Sequence, residues 1–111
     1  MIIVNYDMKS EIEKLVNQIT LVFPAKEIIL FGSMAYGTAD YDSDIDLCII
    51  TEQDRMRKID LLKEVRKIIA PVINKPVDIL IYFSDEFYER ARLNTTFEYK
   101  IKNEGIKLYE Q

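Results

Sequence analysis

Acidic residues in this sequence are placed where they could hold divalent cations. Asp44 and Asp46 stand two residues apart at the start of the run Asp-Ile-Asp-Leu-Cys-Ile-Ile, which predicts a buried β-strand from Asp44 to Ile50. Because alternate residues of a strand point to the same face, the two carboxylates should project together. Carboxylates this close repel each other unless a cation lies between them, and Mg²⁺ prefers hard oxygen ligands of this kind.

A third carboxylate, Asp78, lies near the start of an apolar run that predicts a strand from Val77 to Phe83. An aspartate in so apolar a segment is costly to bury unless it is paired or bound to a metal, although a solvated strand start beside Pro76 stays open as an alternative. If this strand lies beside the one that carries Asp44 and Asp46, three carboxylates converge at one end of the sheet. Such a triad could hold two cations about 3.5–4 Å apart, the arrangement that supports in-line phosphoryl displacement.

Gly32 and Ser33 could provide the complementary half of a nucleotide site. They follow a short apolar strand predicted from Glu27 to Phe31, and one or two helical turns are predicted from Ser33 to Ala39. A glycine at a strand end lets the backbone approach an anion closely, and the N–H groups of a helix that begins there can donate to it, as can the Ser33 hydroxyl. An anion site that faces carboxylate-bound metal is what a nucleoside triphosphate requires.

Three other phosphate or metal motifs are excluded by their spacing. Gly32 and Gly37 have the glycine spacing of a P-loop, but Thr38 follows where that motif needs lysine. A dinucleotide-binding fingerprint is excluded because Met34 stands where its second glycine would be. An EF-hand loop starting at Asp40 lacks both the glycine at its sixth position and the glutamate at its twelfth.

The composition narrows the possible chemistry further. The 111 residues include no histidine, which excludes Ser-His-Asp and Cys-His mechanisms and histidine-ligated metals. Cys48 is the single cysteine, so no internal disulfide forms, and its apolar neighbours favour a small buried side chain. A net charge of −4 makes binding to duplex nucleic acid an unfavourable interpretation. No run approaches the roughly 20 apolar residues of a membrane span, and a cytoplasmic location is expected.

The elements that flank these strands predict an α/β domain, or α+β if the sheet is mixed. A capping box at Ser10 predicts the start of an amphipathic helix that ends near Pro24. Residues 51–54 are expected to cap a second helix, which Pro71 ends. Its apolar stripe is predicted at Ile59, Leu62, Val65, Ile68 and Ile69.

The last quarter of the chain predicts a helix from about Ser84 and another that starts at a capping box at Thr95 and stops at Gly105. An edge strand over Ile106–Tyr109 would then complete a small mixed sheet of three to four strands. Asp40 and Asp42 are interpreted as turn formers. Tyr36 and Tyr41 are interpreted as aromatic residues that pack within loops, with stacking on a base as the alternative. Two arginines are interpreted as surface residues, with contacts to phosphate or a partner as the alternative: Arg90 and Arg92.

The chemistry-bearing residues resemble those of a known superfamily. Gly32-Ser33, ten intervening residues and then Asp44-x-Asp46 are similar to the GS-x10-DxD signature of polymerase-β-like nucleotidyltransferases. Most similar is the minimal nucleotidyltransferase (MNT) branch, through the runs Gly32-Ser33-x-Ala35-x-Gly37 and Ser43-Asp44-Ile45-Asp46-Leu47. The resemblance covers most of the chain and implies one minimal nucleotidyltransferase domain over residues 1–111, with a small mixed sheet flanked by helices.

The resemblance implies a role for each motif residue. Asp44, Asp46 and Asp78 would be the catalytic residues and would bind Mg²⁺, as two ions. Asp78 would also help to deprotonate an acceptor hydroxyl. Gly32 and Ser33 would hold the β- and γ-phosphates of ATP, and pyrophosphate would leave.

The resemblance also implies a partner. Minimal members include the MntA-type antitoxins, which transfer AMP to a tyrosine hydroxyl of a small helical HEPN ribonuclease toxin. Two other functions stay open: a non-catalytic antitoxin that neutralises its partner by contact, and a small-molecule nucleotidyltransferase whose acceptor pocket is completed by dimerisation or by a separate subunit. An intact carboxylate triad favours catalysis, because a binding module has no need to hold three like charges together.

Overall fold

The computed structural model describes residues 6–36, 44–52 and 55–111. Helices and strands alternate along much of this part of the chain, as the sequence predicts. In chain order the elements are α1 (Tyr6–Val22), β1 (Ala25–Phe31), α2 (Ser33–Tyr36), β2 (Ile45–Thr51), α3 (Lys58–Ile69), β3 (Val77–Phe83), α4 (Ser84–Ala91), α5 (Phe97–Glu104) and β4 (Ile106–Glu110).

The strands form one mixed sheet in the order β3-β2-β1-β4, which confirms the predicted α/β class. β2 and β3 run parallel, whereas β1 is antiparallel to both β2 and β4. The register pairs Phe31 with Asp46 and Asp46 with Asp78. The end of β1 and the beginnings of β2 and β3 therefore meet, and we call this the acidic end of the sheet.

Helices cover both faces of the sheet. α1 and α3 pack on one face, where the larger core contains fully buried side chains such as Leu15 and Val65. α4 and α5 cover the other face with a smaller cluster around Phe87, Ile101 and Cys48, and the cysteine is fully buried as predicted. Because Asp46 lies two residues before Cys48 in β2, it shares the face covered by α4 and α5. None of the described helices is long and apolar enough to cross a membrane.

Two helix starts differ from the prediction. α1 begins at Tyr6, so the predicted start at Ser10 is wrong; Ser10 is exposed within the helix, where a serine costs little. The predicted cap over residues 51–54 is also wrong. Thr51 is the last residue of β2, and its hydroxyl donates to the Pro24 carbonyl at 2.8 Å. α3 begins only at Lys58, after an N-cap residue whose side chain makes no capping hydrogen bond.

The apolar stripe of α3 is partly as predicted. Val65 and Ile69 are buried, but Ile59 is 50% exposed and the deeply buried residue of the first turn is Leu61. The strand β3 has the predicted bounds. The strands β1 and β2 differ from the prediction by at most two residues at their ends.

The C-terminal elements follow the prediction closely. α4 begins at Ser84, and Gly105 is the C-cap of α5. The N-cap of α5 is Thr96, one residue after the predicted Thr95, and its hydroxyl accepts from the Tyr99 N–H at 3.1 Å. β4 is an edge strand paired with β1. The predicted turns over residues 37–43 and the cap residues 53 and 54 lie outside the described residues.

Candidate active site

Two carboxylates lie side by side at the acidic end. Asp46 of β2 and Asp78 of β3 lie opposite each other in the register of the two parallel strands. Asp46 is partly buried and Asp78 is exposed. The predicted neighbouring strands are therefore present, and they bring together two of the three predicted carboxylates, Asp46 and Asp78.

The surroundings of Asp46 disfavour ionisation of its carboxyl group. Its pKa is raised to about 6, chiefly because burial disfavours the charged carboxylate. The charge of Asp78 and the hydrogen bond with it raise the pKa further, and the charge of Asp44 adds to this effect. A cation between these carboxylates would relieve the repulsion, so the site favours positive charge.

Asp44 lies at the margin of this pair. It is exposed and stands just before β2, which begins at Ile45, so the alternation of the strand does not fix its side chain beside that of Asp46. Within the described residues, no group of three or more acidic side chains is arranged to hold a metal ion as it stands. The donors present are nevertheless all carboxylate oxygens, which is the chemistry that Mg²⁺ requires.

Gly32 brings the backbone into close contact with Asp46. Its φ is +74°, and a Cβ at this position would lie 2.1 Å from Oδ2 of Asp46, so only glycine fits. The N–H groups of Ala35 and Tyr36 donate to the Gly32 carbonyl at 3.0 and 3.2 Å, which closes the single turn α2. Ser33, the first residue of α2, is partly buried. We call Gly32 and Ser33 the glycine–serine turn.

The helix α5 borders the glycine–serine turn, which sequence reasoning missed. The ring of Phe97 meets that of Phe31 edge to face, with ring centroids 5.7 Å apart, and Phe31 directly precedes the turn. Nζ of Lys100 lies 5.4 Å from the ring centroid of Tyr36, the last residue of α2. The three-residue spacing of Phe97 and Lys100 shows that they share one side of a helix, but it does not show what that side faces.

A buried carboxylate holds α5 in place. Glu98 is 5% exposed, and it accepts hydrogen bonds from the Tyr82 hydroxyl at 2.6 Å and from Nε of Arg90 at 3.0 Å. Burial raises the pKa of Glu98, but these hydrogen bonds lower it overall. Glu98 was predicted as part of a capping box with Thr95, and instead it links α5 to β3 and α4. Arg90 is still largely exposed, as predicted for a surface residue.

Carboxylates at one end of a sheet, next to a glycine–serine turn, are groups suited to binding metal and phosphate. The chain belongs to the nucleotidyltransferase domain family, whose sequence model matches residues 9–108. It is 36% identical over 84 residues to a Methanocaldococcus jannaschii protein named "Putative protein adenylyltransferase MJ0604". The aligned segment covers 76% of this chain and 78% of that relative. A second protein of that organism, "Putative protein adenylyltransferase MJ0141", is 31% identical over 81 residues, or 73% and 76% of the two chains.

A solved structure supports the same fold. The crystal structure of a "putative nucleotidyltransferase" from Sulfolobus solfataricus aligns with a TM-score of 0.63 and covers 95% of this chain and 82% of that chain, at 20% sequence identity. The resemblance drawn from the GS and DxD motifs is thus confirmed for the family, and the protein is a nucleotidyltransferase.

Proposed function

We propose that the protein transfers AMP from ATP to a hydroxyl group of a protein acceptor, with Mg²⁺ as cofactor. The contact between Gly32 and Asp46 is the observation that carries this proposal. It supports the proposal because backbone N–H groups can bind phosphate and carboxylates can bind the metal that accompanies it. The M. jannaschii relatives, which are named as protein adenylyltransferases, support AMP as the group transferred and a polypeptide as the acceptor.

Each motif residue has a role in this reaction. Asp44, Asp46 and Asp78 would hold two Mg²⁺ ions through their carboxylate oxygens, and the metal would supply positive charge to neutralise the phosphate oxygens. Gly32 and Ser33 hold the β- and γ-phosphates through backbone N–H groups and the Ser33 hydroxyl.

The transfer itself needs a base and a leaving group. The acceptor oxygen forms a bond to the α-phosphorus, and the bond from that phosphorus to pyrophosphate breaks. The electron pair leaves with pyrophosphate, and Asp78 takes the proton of the acceptor hydroxyl. Asp78 suits this role because it is the exposed member of the carboxylate pair.

The proposed acceptor is a tyrosine hydroxyl on a small helical protein of the HEPN type, which makes this protein the antitoxin of a HEPN/MNT pair. The resemblance of the GS and DxD motifs to the minimal branch supports this partner. The exposure of Asp78 supports it too, because a hydroxyl on a macromolecule can reach the site only from solvent.

Transfer of label tests this function. The protein is incubated with Mg²⁺ and ATP radiolabelled at the α-phosphate, with and without the product of the neighbouring gene. We expect the label to move to a tyrosine of that partner, and to stay on ATP with Asp46→Asn or with chelator. Asp85→Asn is the matched control, since Asp85 is an exposed carboxylate on α4.

The remaining outcomes separate the alternatives. If Asp46→Asn still neutralises the partner and the wild type transfers no label, the protein is a binding module and the proposed transfer is wrong. If label moves to a small-molecule hydroxyl but not to the partner, the reaction stands and the proposed acceptor is wrong.

A further inference from the structure

Lys100 presents a cation to Tyr36, which lies three residues after Ser33 of the glycine–serine turn. Its Nζ lies over the ring of Tyr36 at 5.4 Å from the centroid, and Tyr36 ends the single helical turn that Ser33 begins. A cation over an exposed ring gains about 0.5–1 kcal/mol, which is a weak interaction. The ammonium group therefore keeps its three N–H donors available for a stronger partner.

Other lysines held over rings differ from Lys100 in one respect. Lys26 and Lys58 also lie 5.3–5.5 Å from ring centroids, but each forms an ion pair with a glutamate. In the part of the chain that the structure describes, Lys100 forms no ion pair with a carboxylate. Among the lysines that the structure describes over aromatic rings, Lys100 is thus held by a ring contact without a glutamate partner, and an ammonium held in this way can bind an anion.

The backbone that carries Lys100 is held firmly against the site. Phe97, three residues earlier on the same side of α5, packs on Phe31 next to the glycine–serine turn. Glu98 links the same helix to β3 and α4 through two hydrogen bonds. The start of the lysine side chain is therefore fixed, while its flexible stem lets the ammonium move between the Tyr36 ring and a ligand.

We infer that Lys100 binds the β- and γ-phosphates of the nucleoside triphosphate and stabilises the pyrophosphate that leaves, while the ring of Tyr36 positions it. This inference rests on the proposed function. A polyanionic substrate meets the carboxylates of Asp46 and Asp78 at the acidic end, so a cation on the phosphate side offsets their repulsion. As the bond between the α-phosphorus and pyrophosphate breaks, negative charge grows on the leaving group. Lys100 donates hydrogen bonds to it without giving up a proton.

Calorimetric titration with Mg·ATP and with AMP tests the inference, because AMP lacks the β- and γ-phosphates. We expect Lys100→Ala to weaken Mg·ATP binding about tenfold and to leave AMP binding and the unfolding temperature unchanged. Lys100→Arg should restore most of the affinity. Lys102→Ala is the matched control, since Lys102 is an exposed lysine of the same helix and should behave as wild type.

The outcomes keep the inference and the proposed function apart. If Lys100→Ala binds Mg·ATP as tightly as wild type does, or loses affinity for ATP and AMP equally, the inference is wrong and the proposed function is unaffected. If wild type binds Mg·ATP in a Lys100-dependent way but transfers no AMP, the proposed function and the leaving-group role of Lys100 are wrong, and its role in binding the phosphates stands. If wild type binds no Mg·ATP, both are wrong.

A double-mutant cycle tests the positioning role of Tyr36. Tyr36→Phe keeps the ring and should bind Mg·ATP as wild type does, whereas Tyr36→Ala should weaken binding. Because the ring acts through Lys100, adding Tyr36→Ala to Lys100→Ala should cause no further loss. Fully additive losses would show that Tyr36 contacts the nucleotide by itself, and would overturn its positioning role.

Discussion

The substitution Asp46→Asn should abolish nucleotidyl transfer and yet stabilise the metal-free fold near neutral pH. In the folded protein, burial and the neighbouring Asp78 raise the pKa of Asp46 to about 6 from an ordinary value of 3.8. An acid with a raised pKa in the folded state contributes stability below its unfolded pKa and loses it as the pH rises through the folded pKa. Near neutral pH, the charged Asp46 therefore opposes folding, and an asparagine does not.

The size of the effect follows from the shift in pKa. A difference of about 2 units at 1.36 kcal/mol per unit sets an upper limit of about 3 kcal/mol. Because Asp46 is only partly buried, water screens part of this energy, and we expect a gain of about 1–2 kcal/mol. For a chain of this length, such a gain raises the unfolding temperature by about 4–8 °C.

Urea and thermal unfolding in chelator, compared between wild type and Asp46→Asn across pH, measure this gain. The difference should be largest above the folded pKa of about 6 and should vanish below the ordinary value of 3.8. Added Mg²⁺ should stabilise wild type but not the variant. Asp85→Asn should give no gain, because Asp85 lies in the first turn of α4, where a negative charge is favourable. An Asp46→Asn variant that is no more stable than wild type, or equally stabilised at every pH, would refute the reasoning.

Three further substitutions test the packing that positions the site, each by urea unfolding. Gly32→Ala places a Cβ 2.1 Å from Oδ2 of Asp46 at a φ of +74°. We expect the unfolding free energy to fall by about 1–3 kcal/mol and nucleotidyl transfer to be lost. Unchanged activity would contradict the close approach of Gly32 to Asp46. Tyr82→Phe removes a hydrogen-bond donor to the buried Glu98 and should cost about 1–2 kcal/mol of unfolding free energy. Most of this cost should appear near neutral pH, because the lowered pKa of Glu98 contributes stability that is lost as the pH falls. A pH-independent cost would contradict that network. Gly105→Ala places a Cβ 2.5 Å from a carbonyl oxygen of α5 and should cost about 1–3 kcal/mol, whereas a neutral effect would show that α5 can shift.

The strands were predictable because their signals are local. The strand Val77–Phe83 is an apolar run preceded by Pro76, and its bounds match the prediction. The alternation of side chains in neighbouring parallel strands then brings Asp46 and Asp78 together. A glycine at the end of β1 likewise indicated a close backbone approach, although not that Asp46 itself would be the group approached.

The helix starts and the position of α5 were not predictable, because distant contacts decide them. Thr51 is of a residue type that often caps helices, but its hydroxyl donates a hydrogen bond to the Pro24 carbonyl. The position of Pro24 depends on how β1 pairs with β2. Glu98 likewise matches a capping box in sequence, and its burial between α4 and β3 is set by tertiary packing. The proximity of Lys100 to Tyr36 depends on which side of α5 faces the sheet, which spacing alone leaves undecided.

The carboxylates of the acidic end and the backbone of Gly32 beside them imply that Mg²⁺ and ATP bind cooperatively. Burial raises the pKa of Asp46, and the charge of Asp78 raises it further, while in the proposed complex Gly32 would bring phosphate oxygens close to Asp46. ATP alone would bring negative charge against Asp46, and Mg²⁺ alone would leave ligand positions that Asp46 and Asp78 do not fill. Each ligand supplies the charge that the other lacks, so each should tighten the binding of the other by the same factor. Titrations of Mg²⁺ and of ATP, each with and without the other, measure that factor, and independent binding would show that the carboxylates and the glycine–serine turn do not act on one ligand.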